Sequence, residues 1–580
     1  MLDPKEYMVD WEDLPYPNFI AWLQDLEGKY VDNQAIYYRE GKQKTFSIWT
    51  FKRMAAECRR FARGLRAAGL KKGDRVVLWA ENRPEWIFIW LGTVITGCTI
   101  VPVDFLVSED ECYNIIKITA AKAAVFSAQK EAFAQSKRVK DTALAVSIII
   151  TGDEFKEFGK NAAAEQLPTV EEIDEQDPCS IVFTSGTTGF AKGVVLSHKG
   201  IIANVNAALL MLEPKTSDIF INVLPLHHTY PTTCSFLSPL SFGVPMIIVE
   251  RLVGQIVIDD IRDARGTFLI AVPLLYDKVM AAINAKYRKL PFFIRWLLNI
   301  LRKKALKEAK QGNPEFGRKA LKVIRKKAGL ESITIMVAGG GALSPKTADF
   351  FDSFGFNIVH GYGISENSPL VSVNTPRYKN NVSVGLAVKD TQVRIVDQND
   401  DTCSLAPGET GEIVVKSPSL MLGYYENPKA TAEVFTKDGF LKTGDLGYID
   451  NDGFIYINGR KKNLIVSSGG KNIYPEEIEE HFAGSRVIGE ILVVGRKDSE
   501  AGEYIFAAIY PNYEALCEDY GECAQNAEFV QGLVKKEIEA VNRPLPVYKK
   551  ISHWILRESE FEKNAQKKIR RFLYKDYENP

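Results

Sequence analysis

The chain has 580 residues, too long for one compact core, so two or more domains are expected. It carries 73 basic and 73 acidic residues, and this zero net charge gives no overall bias toward nucleic acid. Hydrophobic residues make up 46% and charged residues 25%, which excludes a disordered or fibrous chain and leaves a globular protein with a large core.

Met1-Leu-Asp-Pro-Lys-Glu-Tyr7 places acids early and has no apolar segment, so no secretory signal is visible. Residues 46–104 read as an α/β unit. A helix over Phe51–Ala68 stops at Gly69, Arg75–Trp79 is a strand, and the uncharged run Trp86–Val103 is a buried helix passing into a buried strand. That run is short for a membrane span and contains Gly92, Gly97 and Pro102. Residues 113–151 repeat the scheme, with strands at Ala123–Phe126 and Ser147–Ile150. Helices alternating with apolar strands predict parallel sheets flanked by helices.

The next stretch is Ile181-Val-Phe-Thr-Ser-Gly-Thr-Thr-Gly-Phe-Ala-Lys-Gly-Val-Val-Leu-Ser197. β-branched runs on either side predict strand, glycine-rich loop, strand. Between them stand Thr184, Ser185, Thr187 and Thr188, with Gly186, Gly189 and the single cation Lys192. Glycines let backbone N–H groups approach a ligand, hydroxyls add donors and the lysine adds a point charge, so the stretch is built as a phosphate cradle. The lysine is not followed by a hydroxyl, which rules out a Walker A loop. A surface turn also uses glycine and serine, but needs neither the lysine nor four hydroxyls.

His198–Leu212 reads as a helix, and Ile219–Leu224 as a strand ending at Pro225-Leu-His-His228. Residues 286–327 hold 15 cations against two acids. A helix beginning at Pro291 carries Ile294, Leu297, Leu298 and Leu301 at helical spacing, joined by Phe293, Trp296 and Ile300. Two readings fit equally: a basic amphipathic helix resting on an anionic membrane, or a charged insertion packing its stripe on the body. Strands Ser332–Ala338 and Phe356–His360 then run into glycine turns at Gly339–Gly341 and Gly361–Gly363, and paired turns at strand ends suggest a ligand across the sheet edge. From Ser383 the pattern is β-rich, with strands at Val393–Val396, Glu412–Lys416 and Gly453–Asn458. After Arg460-Lys-Lys462 a smaller unit opens, with strands at Glu490–Val494 and Phe506–Tyr510 and helices at Pro475–Phe482 and Phe529–Val541. Eight scattered cysteines, with no Cys-x-x-Cys pair, argue for a reducing compartment and against structural zinc or disulfides.

Five ordered motifs carry a resemblance over nearly the whole chain: Thr184-Ser-Gly-Thr-Thr-Gly189, Gly361-Tyr-Gly-Ile-Ser-Glu366, Lys442-Thr-Gly-Asp-Leu446, Gly459-Arg-Lys-Lys-Asn-Leu464 and a C-terminal lysine. With them the chain resembles the adenylate-forming enzymes, specifically the long-chain acyl-CoA synthetases. The resemblance implies a large α/β domain over 1–459, with parallel sheets, a β-rich subdomain and the basic insertion. A small mobile α+β lid domain would follow over 460–580. The implied activity is formation of an acyl-AMP from a fatty acid and ATP with release of pyrophosphate, then transfer to CoA. An acyl carrier protein is the rival acceptor, and a non-catalytic lipid-surface protein the rival from another class. The implied setting is cytoplasmic, peripheral on the inner face of a membrane if the basic insertion binds lipid.

The same resemblance implies roles for single residues. The loop from Thr184 to Lys192 holds the β- and γ-phosphates. Thr184 and Glu366 bind Mg²⁺, a hard ion that prefers oxygen. Gly340, Gly341, Gly361 and Gly363 line the nucleotide, Tyr362 stacks on adenine and Asp445 accepts from the ribose hydroxyls. Arg460 touches ribose or phosphate, and Lys462 is the hinge. His228 lies near the nascent acyl phosphate, and Pro225-Leu-His-His-Thr-Tyr230 offers no acid for an α-ammonium, which favours an uncharged acyl tail. Lys568 bridges carboxylate and α-phosphate; its choice over Lys567 rests on register alone. The chain departs from the family pattern at Ala191, Phe440 and Lys567, where Pro, Trp and Gly are usual.

Overall fold

A computed structural model describes residues 14–41, 43–184, 192–466, 471–498, 502–563 and 569–577. Among the described residues up to Tyr424, two large sheets share a core. In one, the strands Phe220–Asn222, Met246–Ile248, Phe268–Ala271, Ile335–Ala338 and Ile358–Gly363 join Gln34–Tyr38 in a parallel centre. Antiparallel strands close both edges of this nine-stranded sheet. In the other, Arg75–Trp79, Thr99–Pro102, Ala123–Phe126, Val146–Ile149 and Pro178–Thr184 are parallel, and Lys192–Ser197 and Gly423–Tyr424 extend that sheet antiparallel at one side.

The buried run expected at 86–103 is the helix Pro84–Val94 followed by the strand Thr99–Pro102. Ten of the helix's eleven residues are buried, so it is apolar all round because it is covered all round. Trp90 sits edge-on to Phe19 and Phe236 and is 1% exposed. Burying a side chain of this kind contributes about 1.5–3 kcal/mol.

A four-stranded antiparallel sheet, Gln392–Val396, Gly411–Lys416, Leu441–Ile449 and Ile455–Arg460, follows, as the alternation from Ser383 leads one to expect. Beyond it Ile465, Ile478, Val493, Ile509, Val534 and Ile551 belong to a separate apolar cluster on the sheet Ile488–Asp498, Gly502–Pro511 and Ile551–Leu556. All eight cysteines are free, five of them buried.

The basic segment forms the helices Pro273–Arg288, Phe292–Lys310, Glu315–Ala320 and Lys322–Lys327. Leu298 and Leu301 pack against the main core, but Leu297 does not: with Phe292, Phe293, Trp296 and Ile300 it stands in solvent. The stripe expected from spacing is therefore split, one part on the body and the other facing away.

Candidate nucleotide and acyl site

The hairpin Pro178–Thr184 and Lys192–Ser197 places Thr184 opposite Lys192, and the Thr184 hydroxyl donates to the Lys192 carbonyl at 3.4 Å. Ser185, Gly186, Thr187, Thr188 and Gly189 lie outside the described residues. The short strand Gly423–Tyr424 pairs with the outer side of this hairpin, setting Tyr424 opposite Val194. Lys192 Nζ stands 4.6 Å from the centre of the Tyr424 ring, and the Tyr424 hydroxyl donates to Glu366 Oε1 at 2.8 Å. Burial and then the Glu366 charge raise the phenol's pKa, which keeps its proton available as a donor.

Glu366 occupies a 3₁₀ turn just after Ile358–Gly363, and its carbonyl accepts from Met421 N at 2.8 Å. One strand thus delivers both Tyr362 and Glu366. Tyr362 is buried and its hydroxyl donates to Asp445 Oδ2 at 2.5 Å. Asp445, 3% exposed, stands opposite Arg460 in the antiparallel pair, and Arg460 Nε holds Asp445 Oδ1 at 2.6 Å. Burial works against the Arg460 charge, but Asp445, Tyr362 and Glu366 together raise its pKa. Lys462 follows on a 3₁₀ turn, where desolvation and then the guanidiniums of Arg460 and Arg571 lower its pKa.

Gly340 has φ +77°, a conformation that side chains resist, and makes the sharp exit from Ile335–Ala338. The adjacent Gly341 carbonyl is 2.9 Å from His360 Nε2, which ties the glycine turn to the neighbouring strand. A Cβ on Gly339 would sit 2.8 Å from the Tyr230 ring, so the 227–230 loop presses on this turn. Gly361 and Gly363 face the strand Leu370–Val373, and a Cβ on Gly363 would collide with the Pro369 carbonyl.

His228 is half-buried beside His227, their Nε2 atoms 3.1 Å apart, so one ring donates and the other accepts. His227 Nε2 is also 3.5 Å from Asp104 Oδ1, and burial pushes the His227 pKa down to about 3. A neutral His227 thus buttresses His228. Lys568 lies outside the described residues; nearby Arg571 forks onto Glu479.

The described residues therefore fall into two linked clusters, Thr184–Lys192–Tyr424–Glu366 and Tyr362–Asp445–Arg460, joined through the three residues between Tyr362 and Glu366. Reading the sequence missed Tyr424 and His227. Among the described residues no group of three or more acids, histidines or cysteines could hold a metal alone. A single carboxylate such as Glu366 suits Mg²⁺ carried in by phosphates, because that ion keeps few protein ligands and completes its shell with phosphate oxygens and water.

A family model described as "AMP-binding enzyme" matches residues 24–425. The chain is 28% identical over 534 residues to the long-chain-fatty-acid–CoA ligase of Bacillus subtilis (strain 168), covering 86% of each chain. It is 26% identical over 581 residues to the long-chain-fatty-acid–[acyl-carrier-protein] ligase AEE15, chloroplastic, of Arabidopsis thaliana, covering 87% of this chain and 77% of that one. The fold matches the crystal structure of the anthranilate CoA ligase AuaEII in complex with anthranoyl-AMP, with TM-score 0.80 at 20% identity, over 100% of this chain and 99% of that one.

Proposed function

We propose, from the premise that this chain belongs to the AMP-binding enzyme family, that it joins a fatty acid to CoA through an acyl-AMP. The observation that carries the reading is the pair of linked clusters, which offer cations and donors to a nucleoside triphosphate around one strand end. Likeness to CoA and carrier-protein ligases of long-chain fatty acids supports the acyl class.

The reaction makes clear demands. A fatty carboxylate oxygen forms a bond to the α-phosphorus of ATP while the bond from that phosphorus to the bridging oxygen of pyrophosphate breaks. The nucleophile is already ionised near neutral pH, so it needs charge compensation and orientation rather than a base. Lys192, and the loop from Thr184, would neutralise the departing phosphates. Lys568 would bridge the carboxylate and the α-phosphate, and His228, steadied by His227, would stand by the acyl oxygen. Asp445 would accept from the ribose hydroxyls, Tyr362 would cover adenine, and Gly340 and Gly341 would let the backbone approach it. Mg²⁺ would supply further charge neutralisation at the phosphates, held by Glu366 and Thr184. In the second step the thiol sulfur bonds to the acyl carbon and AMP leaves; a swing of the unit after the 460–462 hinge would exchange Lys568 for the thiol.

An acyl carrier protein as acceptor is the second reading, favoured by the carrier-protein ligase among the relatives. Purified protein with ATP, Mg²⁺ and palmitate is expected to release pyrophosphate and yield acyl-CoA when CoA is added. Acyl carrier protein as the only productive acceptor would replace the first reading with the second. Failure of any fatty acid in a chain-length series to elicit pyrophosphate would overturn both.

A further inference from the structure

The Phe292–Lys310 helix has two apolar faces. At about 100° per residue, Leu298, Leu301, Arg302, Ala305 and Ala309 fall on one side. They pack on the body, with Arg302 Nε donating to Ser353 Oγ at 3.0 Å and its guanidinium over Phe350 and Phe354. Phe292, Phe293, Trp296, Leu297 and Ile300 point about 160° away from that side. They are 75, 68, 59, 52 and 46% exposed, and among the described residues no other helix leaves more than two large apolar side chains in solvent. The outward strip then changes character, continuing as exposed Lys303, Lys304 and Lys307, and exposed Lys286, Arg288 and Lys289 precede it. Among the described residues neither Lys303 nor Lys307 has an acidic partner.

We propose that this face docks on an anionic lipid bilayer, the two phenylalanines and Trp296 entering the headgroup–acyl boundary while the flanking cations meet the phosphates. The length of the apolar stretch, two turns, suits an entry of about 5–10 Å. Charge complementarity selects the occupant: a second copy would set cations against cations. An acidic protein would satisfy the lysines but does not account for three aromatic rings standing in water. Among the described residues no helix is long and apolar enough to cross a membrane. The inference rests on this helix and the cations that precede it, and does not require the acyl-ligase reading.

The test uses the full chain, without ATP, on vesicles of phosphatidylcholine with or without 30% phosphatidylglycerol, about 30% being enough to set a strongly negative surface. Binding to the anionic vesicles is expected to exceed binding to the neutral ones about 10-fold. The set Phe292→Ser, Phe293→Ser, Trp296→Ser and the set Lys303→Gln, Lys304→Gln, Lys307→Gln are each expected to reduce it about 10-fold, with the circular dichroism spectrum unchanged. Brominated lipid is expected to quench wild-type fluorescence more than that of Trp296→Phe. Undiminished binding of the serine variant, equal binding to both vesicle types, or no Trp296-dependent quenching would overturn the proposal. So would retention by an acidic carrier protein, or dimerisation, that needs the same residues while vesicles are ignored.

Discussion

The Tyr362 hydroxyl reaches Asp445 across 83 residues of sequence and donates to Oδ2 at 2.5 Å, while Arg460 Nε holds the other carboxylate oxygen at 2.6 Å. One buried acid thus links the strand end that carries Tyr362 to the residue that opens the 460–462 segment.

Asp445→Asn removes the charge that makes those bonds strong. Hydrogen bonds to a charged group contribute about 1.5–3 kcal/mol, so the KM for ATP is expected to rise about 10- to 100-fold. Pyrophosphate release measured against ATP concentration checks this. An unchanged KM would remove Asp445 from the nucleotide site.

Tyr424→Phe keeps the ring under Lys192 and deletes the donor to Glu366. Groups that orient a metal ligand typically alter metal affinity about 10- to 100-fold when lost, so half-maximal activity is expected at about 10-fold more Mg²⁺. A Mg²⁺ titration at saturating ATP reads it. A variant with the wild-type Mg²⁺ curve would show that Tyr424 does not act through Glu366.

Ile478 is fully buried in the second apolar cluster. Ile478→Ala is expected to cost that cluster about 2–5 kcal/mol. If the chain divides at 460–462, hydrogen exchange will quicken across 464–556 and stay unchanged in the strands Arg75–Trp79 and Ala123–Phe126. Equal quickening in both regions would mean a single cooperative unit.

Burial pushes His198 and His360 down to about 4 and His227 to about 3, from an ordinary 6.5. The folded chain therefore binds fewer protons at these sites than the unfolded chain between pH 6.5 and about 4. Their stabilising contribution is complete above pH 6.5 and is lost as pH falls through that window, by at most about 1.4 kcal/mol per pH unit for each site. Denaturant midpoints across pH 4–7 are expected to fall with acid. His198→Gln is expected to flatten the slope by up to one proton; an unaltered slope would show His198 to be protonated in the fold.

Much of this was readable because local spacing controls it. The helix His198–Leu212 has the bounds its periodicity gives, and the glycine turns follow the strands that the apolar runs mark. Strand ends were less legible: pairing begins at Ile335 rather than Ser332, and carries on through Gly363 rather than stopping at His360, because a partner strand decides where a ladder runs. Tyr424 could not be found by pattern, since its strand has two residues and its partner Glu366 is 58 residues away. Spacing alone put Leu297 in one stripe with Leu298 and Leu301 and left open whether that stripe meets the body or a membrane; in the fold Leu298 and Leu301 pack on the core while Leu297 faces solvent.

Pro273 abuts Gly341, and Arg288, with Lys286, belongs to the cationic flank of the exposed helix. The 16 residues Pro273–Arg288 make one unbroken helix, about 24 Å from end to end. If lipid grips its far end, the glycine turn lies no more than about that length from the grip. On the acyl-ligase reading proposed above, a lipid-held substrate would then have only that short span to cross, and the rate on vesicles would report transfer from the bilayer while detergent-dispersed substrate would not.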